Sequence, residues 1–414
     1  MGEWNWAGNH EYRAKRIAHP TGVDELRDLI VAARSVRALG SRHSFNDLAD
    51  DTDLLVSTAG LPAEVRIDEG ARAVTVGGGT RYGDLARVLQ NSGWALANLA
   101  SLPHISVAGA VATATHGSGD RNGNLATAVR ALRILRADGE IVDLDRDDPS
   151  FAGAVVSLGA LGVVTELTLD IQPTFGVRQR LFETLPWSTV FDRFDDITSA
   201  AYSVSLFTTW TEDAVGLAWL KEREGDTVTV GDDFFGARAL TEPRHMIPTM
   251  DVRNTTEQLG VVGPWNERLP HFRLEFTPSN GEEIQSEYLV PRARAVEAIE
   301  AVRALGPLVA PLLQVTEIRT VAADGLWLSS AYETDAVGLH FTWLRDQAGV
   351  EAVLPAVEDA LLPLGARPHW GKVYRDTAGV VPTRYPRLAE FRTLTETFDP
   401  QGTFRNAFLA RLLD

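Results

Sequence analysis

The sequence predicts an α+β protein, with a mixed first part followed by a part built on an antiparallel sheet flanked by helices. Three observations carry this. Through residue 175, runs with period-two alternation are interleaved at short intervals with amphipathic helical stretches. From about 176, strand-like segments such as TEIRTVA (316–322) and GLHFTWL (338–344) are separated by long helical or looped stretches, the pattern of an antiparallel sheet with helices on one face. The last stretch, from RPHWGKVYRD (367–376) to GTFRNAFL (402–409), has motifs of its own. The expected divisions are 1–175, 176–365 and 366–414, with no internal repeat or low-complexity linker between them.

Taken in order, Thr21 and Asp24 form a capping box, and Val23, Leu26, Leu29, Ile30 and Ala33 then share one helical face. SVRALG (35–40) reads as a short strand running into a glycine. GSRHSF (40–45) follows, placing an imidazole, His43, on a tight turn between Ser41 and Ser44. Such a histidine is either surface decoration or a functional group. ARAVTVGGGT (71–80) is a strand ending in glycines, after which Thr80 caps a helix that buries Leu85, Val88 and Leu89 and stops before Gly93. VRALRILRADGEIVDLD (129–145) is a hairpin around Asp138-Gly139, a pair suited to a type I′ turn. In GVVTELTLD (162–170), Val163, Thr165, Leu167 and Leu169 fall on one side. RLEFTP (273–278) opens the strands of the second part.

Composition bounds the function. At 414 residues the chain holds two or three domains, and 44% hydrophobic with 23% charged residues describes a globular protein. Its 39 basic against 56 acidic residues give −17, a field that repels nucleic acid and anionic membranes. The absence of cysteine excludes disulfides, thiolate metal sites and thiol nucleophiles. MGEWNWAGNH, the first ten residues, lacks the apolar core of a signal peptide. AVVSLGALGVV (154–164) is far short of the ~20 apolar residues that cross a bilayer. A cytoplasmic monomer is the expectation.

Several motifs fail on spacing. The dinucleotide pattern G-x-G-x-x-G from Gly77 meets Tyr82 where it needs glycine, and from Gly117 it meets Asn122. GARPHWGKVY (365–374) has one residue too many between its glycines for a P-loop, and Val373 follows Lys372. No H-E-x-x-H, zinc-spaced cluster or G-x-S-x-G elbow occurs, so no metal is expected.

Others hold. NLASLPHISVAGAVATATHGSGDRNG (98–123) has almost no bulky side chain between Val107 and Gly119. It is either a small-residue buried helix or a backbone cradle for a large ligand. Alternation places Glu317 and Arg319 on one strand face, and His340 and Thr342 on another; Lys372 lies between Trp370 and Tyr374 in a third such run. A Glu and an Arg pointing together form either an exposed ion pair or, if buried, a pair that must bond each other or a ligand.

Taken together, GSRHSF, GGGTRYGDL, the 98–123 stretch and SLGALGVVTELTL (157–169) resemble the FAD-binding domain of the vanillyl-alcohol-oxidase type of flavoproteins. From NWAG (5–8) to FRNAFL (404–409), nearly the whole chain resembles the alditol (xylitol or sorbitol) oxidases within that family, through ASLPHISVAGAVATATHGSG, TEIRTVAAD, HFTW and RPHWGK.

The resemblance implies an FAD-binding domain of two subdomains, a substrate domain, and a C-terminal segment returning to the first. It implies FAD bonded covalently through His43, with Ser41, Arg42, Ser44 and Phe45 along the cofactor and backbone N–H groups on its diphosphate. Ser101, Ser106, Gly109, Thr113, Ala114, Thr115 and His116 would line the FAD cradle, Gly162 and Val164 would meet the adenosine portion, and His369 would touch the flavin. Ser101, Gln285, Glu317, Arg319, His340, Thr342 and Lys372 would then form a polyol pocket at the domain interface. The implied reaction oxidises the C1 hydroxymethyl of an alditol and reduces O2 to hydrogen peroxide. His340 would be the base, Lys372 would stabilise alkoxide charge, and Glu317 and Arg319 would anchor the polyol. An aldonolactone oxidase or dehydrogenase of the same fold is the alternative. A non-catalytic carbohydrate-binding protein is the more distant one.

Overall fold

A computed structural model describes residues 2–227, 230–276, 283–375 and 379–414. Its first part holds two small sheets and a two-stranded pair, Trp94–Ala95 with Gln172–Pro173. Arg16–Ala18, Leu54–Ser57 and Val36–Leu39 pair in parallel in that order, and the helix Val23–Ala32 buries Leu26 and Ile30 against Val36, Leu54 and Val56. Val65–Asp68, Ala73–Gly77, Val163–Asp170, Val129–Leu135 and Ile141–Asp145 form an antiparallel five-stranded sheet. Along Val163–Asp170 burial alternates strictly, with Val163, Thr165, Leu167 and Leu169 inward.

Local capping is where the structure departs from expectation. The first helix is capped by Gly22, so its third position is Glu25, and the Thr21 N–H (2.8 Å) and hydroxyl (3.1 Å) both donate to that carboxylate rather than to Asp24. The helix Tyr82–Asn91 starts after Arg81; the Thr80 hydroxyl is buried and caps nothing, while its carbonyl accepts from Val107 N at 2.8 Å. Leu85 and Leu89 face the core, but Val88 is 40% exposed. In the 129–145 hairpin Leu135 pairs with Ile141, leaving more than two residues in the connection. Gly139 alone is left-handed there (φ +84°), and its N–H closes on the Arg136 carbonyl. The turn is therefore a longer one with a glycine bulge, not type I′.

The triple glycine after Ala73–Val76 answers to close approach. A Cβ on Gly77, Gly78 or Gly79 would stand 2.0, 2.1 and 2.0 Å from the carbonyl oxygens of Pro62, Val164 and Thr58. Only glycine lets three backbones meet there.

The second part is a ten-stranded sheet whose main path runs Asp233–Phe234, Ala237–Ala239, Gly176–Pro186, Ala214–Arg223, Ser203–Thr208, Leu313–Val321, Ala336–Leu344, Glu283–Pro291, Arg367–Pro368. Period two divides its faces. Leu206, Ala218, Leu220, Ile318, Leu339 and Phe341 meet the helices Trp187–Ser199, Ala295–Ala304 and Gln347–Leu361 in one apolar core. The opposite face carries Glu317, Arg319, His340 and Thr342, and it looks at the first part. Arg273–Phe276 is a turn rather than a strand, because Phe272 forms only an isolated bridge with Thr255; Thr277 and Pro278 lie outside the described residues.

Residues from 388 onward return to the first part. Phe391, Leu394, Phe408 and Leu409 join the core of Val107, Val111 and Leu158, and Phe404 packs with Leu26 and Val36. Arg37, fully buried, donates to the carbonyls of Gly159 (2.8 Å), Phe404 (2.9 Å), Leu48 (2.9 Å) and Leu158. No helix among the described residues is long and apolar enough to cross a membrane.

Candidate active site

Strand Val36–Leu39 delivers the chain into Gly40, where a Cβ would stand 2.6 Å from the Ser106 hydroxyl. Arg42 then takes the left-handed conformation (φ +62°), and its guanidinium pairs with Glu3 at 2.5 Å. That reversal turns His43 inward. The ring stacks on Trp6 (centroids 5.0 Å apart, 21° between planes), and Nδ1–H donates to the Ser41 carbonyl at 2.8 Å. Nε2 is buried without a partner among the described residues. Burial pulls the imidazole down to about 4, so it is neutral.

Long-range bonds fix the segment. Ser106 N donates to the Ser41 hydroxyl (3.1 Å), Phe45 N to the Gly371 carbonyl (2.8 Å), and the Asn46 amide to the carbonyls of Trp370 and Lys372 (2.8 Å each). Asn46, which sequence reasoning did not single out, therefore locks the two halves of the site together.

A continuous cavity of about 250 Å³ runs from Leu158, Gly162 and Val164, past Gly40–Phe45, Ser106, Gly109, Thr113, Thr115 and His116, to the substrate sheet. Ala114 does not line it; at φ +52° its methyl turns into the core behind. The cradle fits FAD on its own evidence: the neutral His43 ring with an unpartnered nitrogen on the wall, and glycines at 40 and 109 whose Cβ would crowd Ser106 (2.6 and 2.8 Å). His369 accepts from Gly371 N at Nδ1 (3.1 Å), leaving the proton on Nε2, 3.4 Å from the Thr115 hydroxyl.

At the far end, three strands in register build the polar wall. Glu287, His340 and Glu317 are cross-strand neighbours in one row, and Gln285 lies opposite Thr342 in the next. Arg319 faces Gly338, where a Cβ would stand 3.2 Å from Glu287 Oε1, so glycine leaves room for Arg319 Nη2 to donate to Glu287 at 2.9 Å. Glu287 is the hub. His116 Nε2 lies 3.2 Å and His340 Nδ1 3.1 Å from its carboxylate. Burial alone would raise its pKa; Arg319, His116 and His340 outweigh burial and hold it well below the usual range. Glu317 is likewise raised by burial and lowered, in net, by Arg319 and His271.

Arg319 Nη1 donates to the Ser101 hydroxyl at 3.2 Å, tying the wall to the first part. Lys372 sits in a turn closed by its N–H on the His369 carbonyl, not in an extended run, because the strand ends at Pro368. Its ammonium still enters the cavity, donating to Gln285 Oε1, 4.8 Å above the Phe45 ring. Burial pulls it down to about 8.

All the expected site residues except Ala114 line this cavity. Glu287, Glu283 and His271 line it too, beyond expectation. EIQSE (283–287) carried the signal for the two carboxylates, since Glu283, Gln285 and Glu287 are two apart. His271 sits in a loop and had none. Phe207, Met246, Ile247, Phe272 and Val315 close the end in apolar side chains.

An FAD-binding domain family matches residues 14–145, and a D-arabinono-1,4-lactone oxidase family matches residues 278–412. The chain is 50% identical to an alditol oxidase of Streptomyces sp. (strain IKD472 / FERM P-14339), over 99% of this chain and 98% of that protein. It is 29% identical to an L-gulono-1,4-lactone dehydrogenase of Mycobacterium tuberculosis (strain CDC 1551 / Oshkosh), over 99% and 98% of the two chains. The crystal structure of cholesterol oxidase from B. sterolicum superimposes with a TM-score of 0.81, covering 100% of this chain and 96% of that one. At 14% identity it bears on the fold alone.

Proposed function

Because the chain belongs to the alditol oxidase family of FAD-dependent flavoproteins, we propose that it oxidises the C1 hydroxymethyl of linear polyols such as xylitol and sorbitol, with O2 reduced to hydrogen peroxide. It is an FAD-dependent oxidoreductase acting on alditols. The lactone-oxidising relatives are more distant, so that alternative is not favoured. When bound, FAD supplies the hydride acceptor, and dioxygen takes the two electrons on.

The remaining work belongs to side chains. The observation that carries the reading is the His340–Glu287 pair at 3.1 Å. His340 Nδ1 meets Glu287 at ion-pair distance without an aligned hydrogen bond; a proton on Nδ1 would face that carboxylate, and Nε2 would keep the lone pair that takes the substrate hydroxyl proton. The imidazolium formed would lie beside a buried carboxylate. Lys372 supplies positive charge for the developing alkoxide. Glu317, Arg319, Gln285, Thr342 and Ser101 offer the donors and acceptors that a row of hydroxyls requires.

Burial lowers the His340 pKa from 6.5, against the pull of Glu287, so its base form persists below that value. Lys372 loses its charge at about 8. Flavin reduction by xylitol is therefore expected to follow a bell: lost as pH falls through an acid limb below 6.5, and lost again as pH rises through about 8. A single acid limb at or above 6.5 would remove His340 from the base role.

A covalent His43–flavin bond is part of the proposal, supported by a buried, neutral ring held against Trp6 on the cavity wall. Acid-precipitated protein is expected to stay yellow, and His43→Ala to release its flavin into the supernatant. A colourless wild-type pellet would refute the bond. The same proposal has the protein working as a cytoplasmic monomer; light scattering at a mass above 45.1 kDa by one FAD checks the oligomeric part.

A further inference from the structure

Lys221 has no part in the chemistry above, yet it is fully buried on strand Ala214–Arg223, behind the polar wall. Three acceptors surround Nζ: the carbonyls of Leu269 and Pro270 (the latter at 3.1 Å) and His271 Nδ1 at 3.0 Å. On the other side of the ring, His271 Nε2 lies 2.9 Å from Glu317 Oε1. Carbonyls cannot donate, so each takes a proton of the ammonium, and its third proton falls to Nδ1. Nδ1 is then the acceptor, and the ring's own proton must sit on Nε2, where it donates to Glu317. The other tautomer would set N–H against N–H at Lys221 and lone pair against carboxylate at Glu317.

The surroundings keep this geometry in place. His271 N and Phe272 N both donate to the Ser101 carbonyl (3.1 and 3.2 Å), and the Thr256 hydroxyl donates to the Pro270 carbonyl (2.8 Å). Phe207 and Trp219 meet the His271 ring edge-on at 5.8 and 5.1 Å. The second oxygen of Glu317 is 3.5 Å from Arg319 Nη1.

We propose that Lys221 is a positioning residue for alditol binding: by admitting only the Nε2–H tautomer of His271, it holds the Glu317 carboxylate ionised and turned towards Arg319 and the cavity. The inference rests on the alditol reading of the pocket. Burial pulls the Lys221 ammonium down to about 7 against the attraction of Glu317, so the test is run at pH 6, where the proton is in place.

In holoenzyme labelled with 15N-histidine, the His271 ring, identified by its loss in His271→Gln, is expected to be protonated on Nε2 and bare on Nδ1. In Lys221→Met the Nε2 proton stays, held by Glu317, while Nδ1 loses its hydrogen bond and its 15N resonance shifts to that of an unbonded ring nitrogen. The KM for xylitol rises about tenfold, the scale of one hydrogen bond to a charged group, while kcat changes by less than about twofold. His271→Gln keeps an N–H within reach of Glu317, whereas His271→Asn reaches only Lys221, so the Asn variant raises KM more. Adding Lys221→Met to His271→Gln raises it no further.

A wild-type ring protonated on Nδ1 would overturn the proposal, as would a Lys221→Met effect that is the same with and without His271. If Lys221→Met does not fold, the wild-type tautomer and the Gln/Asn pair decide. If no alditol reduces the flavin in wild type, the functional reading fails, and the Nδ1 shift in Lys221→Met still decides whether Lys221 holds the His271 ring.

Discussion

Glu287→Ala is expected to destabilise the protein by about 3–5 kcal/mol, the cost of leaving a buried charge without its partner. The orphan is Arg319, whose Nη2 has its 2.9 Å bond to Glu287 and whose remaining carboxylate neighbour, Glu317, stands 3.5 Å off. His116 and His340 lose their common neighbour in the same step. The urea midpoint of the holoenzyme is the measurement. Glu287→Gln keeps the volume but not the charge, and should recover only part of the loss. A shift below about 1 kcal/mol would mean that Glu317 alone compensates Arg319, and that the hub lies elsewhere.

His340→Ala is expected to slow anaerobic flavin reduction by xylitol by about 10²–10⁴-fold, the usual contribution of a positioned general base. FAD content should not change, because His340 stands on the substrate sheet and the cofactor cradle is built from the first part and the 369–372 turn. Stopped-flow reduction and the visible spectrum of the same sample give both numbers. Near-normal reduction would move the proton to another group, and Lys372, buried and lowered to about 8, is the next in reach.

These two residues also show how the site was legible. His340 was readable because alternation puts residues two apart on one face, and HFTW follows that period through Ala336–Leu344. Glu287 follows the same rule in EIQSE. What makes it the hub is register, since Glu287 lies beside His340 and His340 beside Glu317 only after three strands separated by long connections have aligned. The GSRHSF turn was visible as a strand end; that Arg42 is the left-handed residue, and that Asn46 binds the turn to Trp370 and Lys372, was not.

Local pattern thus determined the α+β class, the face that each strand residue occupies, and the failure of the nucleotide and metal motifs. Those properties follow from backbone periodicity and from spacing within a few residues. Tertiary structure decided the rest: the cap supplied by Gly22, the exposure of Val88, the turn under Lys372, and the placing of His271 between Lys221 and Glu317. Each depends on contacts that lie outside the local segment or on a cap one position away, and side-chain reach across paired strands has no signature along a single one.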